Sequence, residues 1–192
     1  MRENKESKMH SFFNILEDFL VRYMAYFNYK KYIRNINLHK NEKVLEIGCG
    51  GGNLSRFLAE QLPYGKLVCV DISKYWVKKA KSRLKKFRNI RFKVKDILDF
   101  KTKECYDTII LHYILHDINK YKRLELIKKL KLMLKDDGRI YIRELTTKEH
   151  GISVKKIENL MLSSGFKKIS SKEIYSLLLK HYYVGIFKRG NL

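Results

Sequence analysis

Val44-Leu45-Glu46-Ile47-Gly48-Cys49-Gly50-Gly51-Gly52-Asn53-Leu54-Ser55-Arg56-Phe57-Leu58-Ala59 is the stretch that decides the fold. Its first four residues read as a short buried strand, apolar and β-branched. Glycines follow at Gly48, Gly50 and Gly52, and then Leu54, Phe57 and Leu58 recur at helical spacing. Strand, glycine turn and helix start are therefore contiguous. Glycine admits positive φ and lets a ligand approach the backbone. The first turn of a helix offers unpaired N–H groups and a partial positive charge. Such a unit seats a nucleotide-like cofactor bearing a carboxylate or phosphate.

The dinucleotide fingerprint G-x-G-x-x-G, started at Gly48, requires glycine at position 53, where Asn53 stands. A nucleotide-dependent dehydrogenase is thereby disfavoured. Glu46 opens an acid-x-Gly-x-Gly-x-Gly pattern, and an acid at a strand end suits a cationic cofactor better than a pyrophosphate. This pattern resembles motif I of the class I S-adenosylmethionine-dependent methyltransferases.

The rest of the chain supplies further matches in order. Leu67-Val68-Cys69-Val70 is a second buried strand, and it ends in Asp71, 21 residues past Gly50. Doubly wound folds place a ribose-binding acid at this point. Ser73 is an expected N-cap for a helix burying Val77, Ala80, Leu84 and Phe87. Arg91–Val94 is a third strand, leading to Asp96 and Ile97. Tyr106–Leu111 is the central strand, continued by His112 and the Leu115-His116-Asp117 segment. A helix from Asn119 to Leu134 is expected to bury Leu124, Ile127, Leu130 and Leu134. Asp136-Asp137-Gly138 reads as the turn into a fifth strand, Arg139–Leu145. A helix over 152–164 precedes a closing pair of strands, the last at Tyr182–Phe187. The expected fold class is α/β: a doubly wound seven-stranded sheet with its last strand antiparallel, plus an N-terminal helical extension. Residues 1–40 form that extension, with Phe12, Leu16, Phe19, Tyr23 and Phe27 in one stripe as a lid, and 41–192 form the methyltransferase domain.

The resemblance implies S-adenosylmethionine as cofactor and assigns roles. Glu46 holds the ammonium, directly or through water. The backbone from Gly48 through Cys49 and Gly50 to Gly52 approaches the carboxylate and ribose. Asp71 clamps the ribose hydroxyls, and Ile72 lies on the adenine face. Asp96 and the Ile97 N–H read the adenine edge, and His112 passes near the sulfonium. Leu115-His116-Asp117 resembles the segment of plant-type small-molecule O-methyltransferases in which histidine is the base. Glu144 matches the glutamate that orients it there. The tryptophan that usually follows is Ile118 here.

Composition bounds the rest. The 192 residues suit one domain, 45% of them apolar, with a net charge of +22. That excess fits a polyanion or an anionic membrane surface, or a lysine-rich proteome. Lys74–Lys95 holds eleven Lys/Arg and no acid. Cys49, Cys69 and Cys105 form neither a disulfide framework nor a metal-ligand spacing, so no metal and a cytoplasmic setting, peripheral at a membrane in one reading, are expected. No signal peptide and no spanning helix are expected. Three functions stay open: methylation of a small, lipophilic acceptor, methylation of RNA, and a non-catalytic cofactor-binding module.

Overall fold

The computed structural model describes residues 29–190 apart from 148, 150 and 177–179. The chain divides between Asn37 and Leu38. Of the first part, residues 29–34 are helical, and Tyr32, Ile33 and Ile36 are buried. The aromatic stripe expected of the N-terminal lid lies outside the described residues.

The second part is one sheet flanked by helices. Its strands are β1 (Lys43–Ile47), β2 (Lys66–Asp71), β3 (Ile90–Val94), β4 (Tyr106–His112), β5 (Leu134–Leu145), β6 (Phe166–Ser176) and β7 (Lys180–Arg189). They lie in the order β3-β2-β1-β4-β5-β7-β6. The first five are parallel, and β7 runs antiparallel between β5 and β6. The helices are α1 (Asn53–Gln61), α2 (Lys74–Arg83), α3 (Arg123–Leu132) and α4 (Val154–Ser163). This is the expected doubly wound α/β sheet of seven strands.

Side chains alternate across each strand, so the two sheet faces have separate contents. Leu45, Ile47, Val68, Val70, Ile109 and Leu111 share one buried cluster with Leu126, Ile127 and Leu130 of α3 and Ile157 and Met161 of α4. On the opposite face α1 and α2 pack against β2 and β3. An ionic group ties the lower ends of the strands. Glu42 accepts from the Arg139 guanidinium at 2.7 Å and from the Thr108 hydroxyl at 2.7 Å.

Three expectations need correction. The fourth-strand crossover helix begins only at Arg123, so Leu124 falls in its first turn and is 40% exposed, while Leu126 is buried. Strand β5 begins at Leu134, before the Asp-Asp-Gly segment. That segment forms an irregularity in the ladder, where Tyr106 pairs with Leu134 but Thr108 pairs with Arg139. Residues with turn chemistry here make a bulge, because the ladder resumes on both sides of them. Phe87 is only half-buried, since α2 ends at Arg83.

Candidate cofactor site

A cleft of about 580 Å³ opens at the carboxyl ends of β1, β2 and β4. The strand order reverses direction between β1 and β4, where doubly wound sheets bind ligands. Gly48, Gly50, Asp71, Ile72, Asp96 and Ile97 all line this cleft. Residues far apart in sequence are thus brought together as the motif spacing implied.

The glycine turn has a different physical reason at each position. Gly48, Gly50 and Gly52 all have positive φ, at 72°, 49° and 80°. A Cβ on Gly48 would stand 2.7 Å from Ile114 Cδ1, and one on Gly52 would stand 2.8 Å from Leu84 Cδ1. These two glycines permit close packing. A Cβ on Gly50 would meet nothing among the described residues within 4 Å. It therefore leaves an open backbone surface on the cleft. Gly52 is also the N-cap of α1 and provides no side-chain cap, so the first-turn N–H groups keep their capacity for an anion. Arg83 laces the turn from outside, donating to the Gly51 carbonyl at 3.0 Å and to Asn53 Oδ1 at 2.9 Å.

Asp71 is built into the same turn. Its two carboxylate oxygens accept from the Gly50 N–H at 2.8 Å and the Ser73 N–H at 2.8 Å. Each oxygen keeps a second lone pair for a ligand hydroxyl. Asp96 accepts from the Leu98 N–H at 2.9 Å and likewise faces the cleft. Two fixed carboxylates and an open glycine suit a ligand with hydroxyl and amino donors, such as a ribose and an adenine. They do not suit a pyrophosphate. The residues present fit S-adenosylmethionine on this ground.

Four of the expected cofactor residues do not line the cleft. Glu46 lies on the opposite sheet face from Ile47, beneath α1, and is 2% exposed. Its carboxyl accepts from Ser55 Oγ at 2.5 Å and Cys69 Sγ at 3.3 Å. Burial pushes its pKa up to about 7, against the lowering effect of those two bonds. Cys49 and Gly52 are turned into the packing of the loop. His112 lies beside Arg143 in the ladder, and burial together with that guanidinium pushes its pKa down to about 3. The imidazole is neutral at physiological pH.

His116 and Glu144 meet. His116 Nδ1 is 2.6 Å from Glu144 Oε1, and Glu144 is fully buried. The second oxygen, Oε2, accepts from the Leu115 N–H at 2.6 Å. Arg123 braces the same loop by donating to the carbonyls of His116 and Ile118. His116 does not line the cleft, but its neighbour Asp117 does.

Sequence reasoning missed Tyr113. Among the described residues it is the only non-glycine with positive φ, at 55°. It lines the cleft at the end of β4, and the Arg143 guanidinium stands 5.2 Å from its ring centroid and 4.4 Å from that of Tyr182. A bulky residue in the left-handed region is held there by its surroundings, a strain that concentrates at functional sites. No sequence signal marks it. Trp76 also lines the cleft; as an aromatic near the start of a basic helix it was visible but unassigned. Among the described residues no cluster of His, Cys, Asp or Glu could hold a metal ion.

Comparison with known proteins places the chain in a family. Residues 38–187 match the family described as a methyltransferase domain. The chain belongs to this family, the class I methyltransferases, which use S-adenosylmethionine. It is 29% identical over 164 residues to the carboxy-S-adenosyl-L-methionine synthase of Helicobacter pylori strain J99, covering 81% of this chain and 67% of that one. The 1,6-didemethyltoxoflavin-N1-methyltransferase of Burkholderia thailandensis, solved with bound 1,6-didemethyltoxoflavin and S-adenosylhomocysteine, has the same fold. Its TM-score is 0.71 at 16% identity, over 83% of this chain and 76% of that one. A methyltransferase from Aquifex aeolicus gives a TM-score of 0.72 at 17% identity, over 83% and 88%. The chain spans between about half and two thirds of the first curated relatives it matches. No helix among the described residues is long and apolar enough to cross a membrane.

Proposed function

We propose that this protein transfers the methyl group of S-adenosylmethionine to a small, lipophilic acceptor. The observation that carries this reading is the cleft, where Gly50, Asp71 and Asp96 converge at the switch point of the sheet. The bound cofactor supplies an already activated methyl group, so the protein's part is alignment, exclusion of water and, where needed, a base. Asp71 accepts from ribose hydroxyls, Ile72 covers the adenine face, and Asp96 with the Ile97 N–H reads the adenine edge. Glu46 acts on the ammonium end indirectly, by holding the turn through Ser55. Cys49, Gly52 and His112 shape that turn and the floor beneath it.

His116 is assigned as the base that takes the acceptor's proton. The Glu144 carboxylate beside Nδ1 favours the tautomer with its proton on that nitrogen, which leaves Nε2 basic. The basic 74–95 face provides a separate contact for a polyanion. A small acceptor agrees with the toxoflavin-precursor enzyme among the structural neighbours.

The similarity to a synthase of carboxy-S-adenosylmethionine favours one second reading, in which the cofactor itself is modified. Incubation with methyl-labelled S-adenosylmethionine and separate metabolite, lipid and RNA extracts tests both. Label in a small-molecule or lipid product supports the proposal. Label confined to RNA refutes the small acceptor. A labelled cofactor of increased mass, found by mass spectrometry with no labelled acceptor, supports the second reading.

A further inference from the structure

The cleft leaves the most charged part of the chain unexplained. All eleven Lys and Arg residues between Lys74 and Lys95 are exposed, and no acid lies among them. They surround the edge of the sheet, because among the described residues β3 pairs only with β2. On this edge lies a second concavity of about 390 Å³. Lys81 of α2 and Lys85 just beyond its end contribute to it together with Arg91 and Lys93 of β3, and Phe87 and Phe92 also line it. Among the described residues no carboxylate lines it.

We propose that this groove binds single-stranded RNA. The cations follow a phosphate backbone, and the rings of Phe92 and Phe87, the latter faced on one side by the Lys86 ammonium at 5.0 Å, offer stacking surface to bases without sequence preference. The strand geometry gives the site a direction. Arg91, Lys93 and Lys95 alternate along β3 and its continuation, so they form a row about 7 Å apart on one side. Lys95 lines the cofactor cleft, while Lys93 lines the groove. The cationic row therefore leads from the groove to the cleft rim. A concave track with rings in its floor fits a flexible strand better than a flat membrane surface.

The groove is independent of the cofactor assignment, so the two can fail separately. The test uses the full chain, a fluorescently labelled unstructured single-stranded RNA, and vesicles of phosphatidylcholine with and without phosphatidylserine. The expected result is RNA binding whose logarithm falls linearly with that of the salt concentration. Replacing Lys81, Lys85 and Arg91 together with alanine lowers that slope by about two, because each phosphate neutralised on a single strand accounts for roughly 0.7 of it. Phe87→Leu keeps the site apolar and weakens binding by about fivefold or more, since a base no longer has a ring to stack on. Alanine at Lys155, Lys156 and Lys167, which removes the same charge beside β6, leaves the slope closer to wild type. All variants retain S-adenosylmethionine affinity. Equal slopes in the two triple variants would reduce the effect to net charge and overturn the site. Binding to phosphatidylserine vesicles without RNA binding would overturn it in favour of a membrane. Self-association of the groove variant with unchanged RNA binding would show that the cations guard the open strand edge instead.

Discussion

Asp71 joins the cofactor's expected ribose to the loop that cradles it. Because its carboxylate accepts from both Gly50 and Ser73, its removal takes away a ligand acceptor and loosens the turn. Hydrogen bonds to a charged acceptor are worth about 1.5–3 kcal/mol. Asp71→Ala is therefore expected to weaken S-adenosylmethionine binding tenfold or more, measured by calorimetry on protein whose circular dichroism is unchanged. The glycines separate in a second test. Gly48→Ala drives a methyl group into Ile114 and is expected to lower thermal stability clearly. Gly50→Ala meets open space, so its cost is left-handed strain of about 1–2 kcal/mol together with a loss of cofactor affinity. Equal effects of the two on stability and affinity would contradict the division of roles. The acid-and-glycine spacing made Gly48, Gly50 and Asp71 readable from sequence. It did not reveal that Gly48 serves packing, because that depends on Ile114, 66 residues away in the chain.

The junction of β1, α1 and β2 carries a titration. Glu46 has its pKa raised by burial from 4.5 to about 7. Between those values the unfolded chain gives up this proton while the folded chain keeps it. Stability is therefore expected to fall as pH rises from about 4.5 to 7, by an amount of order 3 kcal/mol, and then level off. Glu46→Gln is expected to remove that slope, as read by denaturant unfolding at pH 5.5 and pH 8. A variant that keeps the wild-type pH dependence would show that Glu46 is not its source.

The loop after β4 bears the proposed base. His116→Ala is expected to reduce turnover by about 10²–10⁴-fold while cofactor affinity stays unchanged. Retained turnover in that variant would reduce the His116–Glu144 pair to a brace for the loop. The pairing was legible because a histidine–acid segment and a strand-end glutamate occurred in order. The positive φ of Tyr113 and the Arg83 clamp were not legible, since both arise only from tertiary packing.

In the chain taken together, strand composition and the order of acids at strand ends specify the sheet well. The reason is that buried parallel strands must be apolar and their carboxyl ends must carry the site. Helix boundaries were less clear, as the late start of α3 and the exposed Leu124 show. Local periodicity cannot tell a helix turn from the loop that precedes it. The charge of +22 follows from composition, but its concentration along the β3 edge follows from the fold. Everything said of the site turns on whether the cleft at the switch point binds S-adenosylmethionine. Calorimetric titration of the intact protein with S-adenosylmethionine, S-adenosylhomocysteine and NAD tests it most directly. Saturable one-to-one binding of the first two, weakened by Asp71→Ala, is expected, and none of NAD. Binding of NAD, or no binding of either adenosyl compound by folded protein, would contradict it.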